Sequence, residues 1–431
     1  MTRRGFLGAA AAAGALGAEK PAVLGGNKMH PGPWPKWPVI DDTDRKALAA
    51  VLESGGWYRG YGKNVDKFEA AYQQLTGAKY CLATANGTSA LITSLAALGV
   101  GAGDEVIVPP YTFIATINSV LMFGAMPVFV DTDPETFQID ARKIEAAITD
   151  RTRVILPAHI GGAAADVDAI MAIAARRKIP VVEDTCQSHL AEWKKRKLGT
   201  FGAAGCFSFQ NSKNLNSGEG GAVITDDAGL VERSFAFHNN GRGRKNTGYD
   251  FSYTQRGANL RMTEFQAALL MAQMTRLEKQ ASQRDQNGAY LTSMLREIPG
   301  IVPARMYPGN TRNAYHLYMF RYQAERFAGL SRAKFLKALS AEGVHCSGGY
   351  DPLNREPFVK NTLLSRGFQK IYSKQEVAHW EERNQCPAND RLCKEAVWFT
   401  QNMLLAGRTD MEQIAAAIKR IQAHAAEIAR A

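Results

Sequence analysis

The chain has 431 residues, 45% apolar and 22% charged, proportions that suit a soluble globular protein and exclude disordered and collagen-like classes. Its length is too great for one small core and predicts two domains in one catalytic unit. The net charge of +11 is spread over short runs such as Lys194–Lys197 and Arg242–Lys245 without the aromatic interleaving of a nucleic-acid surface, so no nucleic-acid partner is expected.

Residues 1–18 place Arg3 and Arg4 before an apolar run rich in alanine and glycine that ends near Ala18. This pattern resembles a twin-arginine export signal, and it predicts delivery to the periplasm, with a cytoplasmic protein as the alternative. The run is too short for a stable membrane span. Residues 19–60 read as an N-terminal arm that contains Pro31–Pro38, a helix from Asp41 to Ser54 and the start of a turn-rich aromatic loop, Gly55–Gly62. Such a loop lines a substrate mouth or packs on a neighbouring domain. A second amphipathic helix is expected from Asn64 to Gly77.

From Tyr80 to Ile224, short apolar runs alternate with helical stretches: Glu105–Pro109, Pro127–Val130, Val154–Ala158, Val181–Glu183, Gly205–Phe209 and Ala222–Thr225. That alternation predicts an α/β domain with a mostly parallel, buried sheet, spanning residues 61–300. Ligands in such sheets sit at the carboxyl ends of the strands, and the candidate residues fall there. Asn86–Leu91 follows a strand and opens a helix, so the Gly87 amide and the hydroxyls of Thr88 and Ser89 form either a phosphate cradle or an ordinary cap. Phe113 ends another strand and either covers one face of a flat ring or packs in the core. Asp184 ends an apolar strand, where a carboxylate needs a partner; a protonated ring nitrogen would serve, with Gln187 reaching a ring hydroxyl. His189 follows as a substrate-binding or a structural histidine.

Lys213 lies between the aromatic strand Phe207–Phe209 and the glycine-rich turn Gly218–Gly221. A partly desolvated lysine there loses its proton easily and can attack an aldehyde, which makes it the candidate nucleophile. Residues 226–297 carry long amphipathic patterns, among them Thr263–Gln280. Residues 301–431 predict a smaller α+β domain with a strand at Ala314–Tyr322 and helices at Ser331–Ser340 and Asp410–Ala429. Six cysteines show no Cys-x-x-Cys pair, and in an oxidising compartment Cys386 and Cys393 are the pair to test for a disulfide. No metal site is expected, and dinucleotide, Walker and zinc-protease signatures are missing from the sequence.

Several separated motifs occur in one order: Asn86–Leu91, Gly103–Pro109, Val128–Asp131, His159–Gly162, Glu183–His189, Phe207–Phe209 with Lys213, and Gly218–Gly221. Together they resemble the sugar aminotransferases of the DegT/DnrJ/StrS family, which have fold type I of the pyridoxal phosphate enzymes; the resemblance runs from about residue 30 to the C-terminus. It implies pyridoxal 5'-phosphate as cofactor and transfer of an amino group from glutamate or glutamine to a keto-sugar or keto-cyclitol. It also implies that Lys213 holds the cofactor as a Schiff base, with Gly87, Thr88, Ser89 and Ser208 on its phosphate. Phe113 would stack on the ring, Asp184 would meet its nitrogen and Gln187 its phenolic oxygen. Asn259 would reach the phosphate in a neighbouring subunit, which makes a homodimer the competent unit. His189, His316 and Tyr350 are the implied substrate residues. The segments Ala22–Gly26, Pro33–Pro38 and Tyr350–Leu353 look most similar to the subgroup acting on scyllo-inosose and related cyclitol ketones. Leu190 departs from the family's usual glycine, and Gln401 stands where a histidine is common. A sugar dehydratase of the same family, a non-catalytic sugar-binding or regulatory protein and an exported sugar oxidoreductase are the alternatives; Lys213 and the scattered cysteines argue against the first.

Overall fold

The computed structural model describes residues 19–244 and 252–431. The export signal expected at residues 1–18 and the end of the basic run at Lys245 lie outside the described residues.

The arm leads into α1 (Asp42–Ser54), which starts where the Asp41 side chain accepts from the Thr43 amide and Asp44 answers back to the Asp41 amide. After α2 (Asn64–Thr76) the large sheet begins. Its strands are β1 (Tyr80–Thr84), β2 (Glu105–Val108), β3 (Met126–Phe129), β4 (Thr152–Ile155), β5 (Val182–Asp184), β6 (Ala204–Ser208) and β7 (Gly221–Thr225). One half has the order β1-β7-β6-β5 and the other β3-β2-β4. Parallel bridges from Ile155 to Val181 and from Ala158 to Asp184 join the halves, and β7 alone runs against its neighbours. Nearly every strand residue is buried, which requires helices on both faces. One face carries α3 (Gly87–Ala97), α4 (Ala115–Leu121) and α7 (Ala228–His238). The other carries α2, α5 (Ala141–Ala147), α6 (Val167–Arg177) and α8 (Glu264–Leu295).

A second, antiparallel sheet holds β8 (Ile301–Pro303), β9 (Leu317–Tyr322) and β10 (Ala396–Thr400). It is covered by α9 (Arg332–Ala341) and α13 (Arg408–Ala423), with Phe320, Phe335, Phe399 and Ile414 in its core. Trp34 of the arm enters the same core and donates its indole N–H to the Gly343 carbonyl at 2.8 Å.

The packing departs from a boundary at residue 300 in two ways. Helix α8 runs on past the expected end at Gln280 to Leu295, so Ala267 and Leu270 belong to the large-sheet core while Leu291 and Leu295 belong to the small one. Between β9 and β10 the chain also returns to the large sheet through α10 (Pro357–Leu363), α11 (Lys374–Arg383) and α12 (Pro387–Glu395). Leu353, Val359, Leu363, Tyr372 and Trp380 pack there, and Trp380 donates to the Pro127 carbonyl at 2.6 Å.

All six cysteines are free. The pairing considered for Cys386 and Cys393 is corrected by α12, which separates them along its axis by about 10 Å, beyond the reach of a disulfide. Cys386 packs under the large sheet and Cys393 beside Tyr111 and Phe137. Among the described residues no helix is long and apolar enough to cross a membrane, and no cluster of metal-ligating side chains occurs.

Candidate active site

A cavity of about 940 Å³ opens at the carboxyl ends of β5 and β6, with β10 and the residues after it, Gln401 and Asn402, closing one side. Its lysine comes from the turn after β6. That turn is fixed by backbone hydrogen bonds from Lys213 to Gln210 at 2.8 Å, from Asn211 to Gly218 at 2.9 Å and from Phe209 to Gly220 at 2.7 Å. Lys213 lines the cavity, and its Nζ lies 3.5 Å from His316 Nε2. Burial lowers the lysine pKa from its ordinary value, opposed by Cys186 and Asp184. The tautomer of His316 follows from its other neighbour. Asn214 donates from Nδ2 to the Ala314 carbonyl at 2.7 Å, so its Oδ1 faces His316 Nδ1 at 3.2 Å. Nδ1 therefore carries the hydrogen and Nε2 is free to accept from the lysine. Burial, reinforced by the Lys213 charge, holds this imidazole neutral, well below the usual histidine range.

Asp184 stands at the end of β5, 8% exposed. Its Oδ2 accepts from the Thr116 hydroxyl at 2.8 Å and its Oδ1 from the Cys186 amide at 3.2 Å. Thr116 is itself paired with Thr112 at 2.9 Å. A carboxylate oxygen has more lone-pair sites than these bonds use, so Asp184 can still face a ring N–H in the cavity. Gln187 accepts the Gly161 amide on Oε1 at 2.8 Å, which turns its Nε2 to the Tyr350 hydroxyl at 2.9 Å. Phe113 is 56% exposed beside the cavity, with a ring face free to cover a flat ligand.

At the start of α3, Asn86 Oδ1 accepts both the Ser89 amide at 2.8 Å and the Ser89 hydroxyl at 2.9 Å. Ser89 is thus engaged in the cap, whereas Thr88 lines the cavity. A Cβ added at Gly87 would come within 2.6 Å of Ser208 Cβ and 3.1 Å of Cys186 Sγ. Only glycine lets the helix N-terminus approach Ser208 this closely, and the first amides of α3 with the Ser208 hydroxyl fit a phosphate dianion.

Other predicted residues are placed differently. His189 does not line the cavity: its Nε2 meets the Ser208 carbonyl at 2.8 Å, its Nδ1 the Tyr72 hydroxyl at 3.1 Å, and its ring stacks on Phe209. Both nitrogens being engaged and the ring 2% exposed, the substrate reading of His189 gives way to a packing one. Asn259 pairs with Asn239 and also lies outside the cavity lining. The aromatic loop Gly55–Gly62 packs on α8, through Trp57 against Phe265, rather than lining this cavity. The aromatic residues that do line it beyond Phe113 and Tyr350 are Trp37 from the arm and Trp398 from β10, which donates to the Tyr111 hydroxyl at 2.9 Å. Trp398 had no sequence signal beyond aromatic character, and the Pro33–Pro38 segment that carries Trp37 gave no sign of reaching the site, because each does so through long-range packing.

A parallel sheet with a lysine of lowered pKa, a carboxylate for a ring nitrogen and a phosphate-sized helix N-terminus defines a fold type I pyridoxal phosphate enzyme. Residues 38–419 match the DegT/DnrJ/EryC1/StrS aminotransferase family, and the chain belongs to it. It is 36% identical over 422 residues to L-glutamine:scyllo-inosose aminotransferase of Streptomyces griseus, covering 95% of this chain and 99% of that one. It is 35% identical over 424 residues to L-glutamine:2-deoxy-scyllo-inosose aminotransferase of Streptomyces lividus, covering 95% and 99%. Among solved structures, 3-amino-5-hydroxybenzoic acid synthase superposes with a TM-score of 0.81 at 33% identity, over 93% of this chain and 99% of that one.

Proposed function

We propose that this aminotransferase moves the amino group of glutamine to the ketone of a cyclitol, in two half-reactions on one cofactor. The observation that carries the chemistry is the Lys213–His316 pair, 3.5 Å apart in the cavity that Asp184 also lines. When bound, pyridoxal phosphate supplies an electron sink for deprotonation of the donor's α-carbon. Lys213 Nζ takes and returns that proton, and His316 Nε2 accepts a hydrogen bond from it. With the cofactor bound, Asp184 would hold the ring nitrogen, Phe113 would cover the ring, Gln187 would lie at its phenolic side, and Gly87, Thr88 and Ser208 would hold the phosphate.

The choice of acceptor is supported by the lining. Among the described residues that line the cavity, Lys213 is the only lysine or arginine, while Gln210, Asn211, Thr400 and Asn402 are neutral and polar. Such groups suit a polyol better than a nucleotide diphosphate, which calls for cationic clamps. The activities for which the Streptomyces relatives are named point the same way and favour glutamine over glutamate. A homodimer is part of the proposal: Trp57, Tyr58, Tyr61 and Tyr253 are 43–83% exposed, and such aromatics suit burial against a second copy. In that arrangement Asn259 reaches the neighbouring phosphate. Export of the protein by the twin-arginine route is proposed on residues 1–18 alone, and fractionation that finds only full-length cytoplasmic protein would refute it.

The test is an absorbance spectrum of the purified protein before and after glutamine or glutamate. The visible band of lysine-bound cofactor should fall with glutamine and return on adding scyllo-inosose or 2-deoxy-scyllo-inosose. A colourless protein that takes up no pyridoxal phosphate, or recovery only with a nucleotide-linked keto-sugar, would overturn the reading.

A further inference from the structure

Arg284 lies within α8, where the sequence reads as one more polar position of an amphipathic helix, yet its side chain is 0% exposed. A buried guanidinium is ordinarily matched by a carboxylate, because an unpaired buried charge is costly. Here its partners among the described residues are neutral. Nε donates to Gln401 Oε1 at 2.9 Å, Nη2 donates to the same oxygen, and the Trp37 ring centre lies 5.0 Å from Cζ. Nη1 is sealed from solvent and donates to none of the described residues. Burial pulls the group down to about 9, which leaves it charged at neutral pH.

This arrangement settles how Gln401 faces the cavity. A guanidinium offers donors only, so only the amide oxygen of Gln401 can meet it. The Nε2 group, with two N–H bonds, is then turned the other way. Gln401 lines the cavity, and none of the hydrogen bonds among the described residues uses its Nε2. The cavity thus receives a fixed pair of donors, backed by a positive charge that no carboxylate among the described residues pairs with. Trp37, which also lines the cavity, lies over the guanidinium and keeps water from damping its field.

We propose that Gln401 and Arg284 form the seat for the carboxylate of the amino donor: Gln401 donates from Nε2, and Arg284 is the positioning residue that orients it and supplies the opposite charge. The inference rests on the reading of an amino-acid donor given above. A cyclitol ketone is uncharged, and glutamine carries a single carboxylate, so the donor is the half-reaction partner that can satisfy this site.

The experiment measures binding of 2-methylglutamine to the holoenzyme by calorimetry; this analogue keeps the carboxylate but has no α-proton to transfer. Gln401→Glu gives Arg284 a buried ion partner and presents an oxygen to the incoming carboxylate. It should keep or raise the melting temperature while weakening 2-methylglutamine by about thirtyfold, since like charges brought together are strongly repelled. Gln401→Leu should weaken it by about tenfold through loss of a charge-assisted hydrogen bond. In both variants the KM for the ketone should stay within about twofold, because uniform binding of the acceptor is untouched. Wild-type affinity in Gln401→Glu, or a defect confined to the ketone, would overturn the proposal. Failure of the parent reading looks different: wild-type protein would then bind neither 2-methylglutamine nor 2-methylglutamate. If it binds only 2-methylglutamate and Gln401→Glu weakens that, the carboxylate seat stands and the donor changes.

Discussion

Lys213 Nζ and His316 Nε2 face each other at 3.5 Å, and the far side of the imidazole is fixed by Asn214. The pair couples a lysine whose proton is loosened by burial to an imidazole that burial holds neutral. His316 is therefore an acceptor throughout the physiological pH range, and its replacement should slow proton transfer. His316→Phe is expected to lower the rate of cofactor bleaching by glutamine by about a hundredfold, within the usual worth of a positioned acid or base. The cofactor should remain bound, which the static spectrum checks. Asn214→Leu should give a smaller loss in the same direction, since it frees the imidazole to take the other tautomer.

At Gly87 the constraint is steric. An alanine Cβ would meet Ser208 Cβ at 2.6 Å, so either α3 or the end of β6 must shift. Gly87→Ala should cost about 1–3 kcal/mol of stability by overpacking. Its affinity for pyridoxal phosphate should fall at least about tenfold, since the helix N-terminus is displaced from the anion. Equilibrium dialysis of the reconstituted variant measures this, and wild-type affinity would show that the close approach is dispensable.

Acid sensitivity should come from two buried histidines outside the chemistry. Burial pulls His189 down to about 4, against the opposing Ser208 hydrogen bond, and burial aided by Arg59 pulls His238 down to about 3. Both folded values lie below the unfolded value near 6.5, so the unfolded chain binds more protons between them. Stability is then full above pH 6.5 and falls as pH drops toward 4, by roughly 2 kcal/mol per histidine between pH 7 and pH 5. Urea midpoints at the two pH values test this, and His189→Gln should remove about a third of the difference, because burial also holds His316 well below the usual histidine range.

The cysteines predict an insensitivity. Because Cys386 and Cys393 lie at opposite ends of α12, a reductant should leave the melting temperature unchanged. Thiol titration of the denatured, non-reduced protein should find six groups. A lower count would mean that the helix does not hold them apart.

Much of the site was legible because its residues end strands. Asp184 and Ser208 follow apolar runs, where a polar residue at the carboxyl end of a buried strand has few structural uses. Lys213 was legible through the glycines that follow it. The contribution of Trp37 was not, since it depends on the arm crossing to Arg284 within α8. Arg284 was equally hidden: its helical pattern does not separate a buried arginine from a solvated one. His189 stood in a strong motif, but motif position says nothing of which nitrogens are already bonded. The return of residues 353–386 to the large sheet was obscured by its short helices, none of which carries a long periodic signal.

That return segment bears on how substrates enter. The small lobe is stitched to the large one by a continuous α8, by Trp34 and by the side chains around Trp380. Swinging the lobes apart like jaws would expose Leu353, Val359, Leu363, Tyr372 and Trp380 to water, at a cost of roughly 10 kcal/mol, comparable with the whole stability of an ordinary domain. A hinge that strips this segment from the large sheet is therefore strongly disfavoured. Traffic through the cavity has to be gated by local shifts at its rim, around Trp37 and Tyr350, and the scattering profile of the protein should be the same with and without ligand.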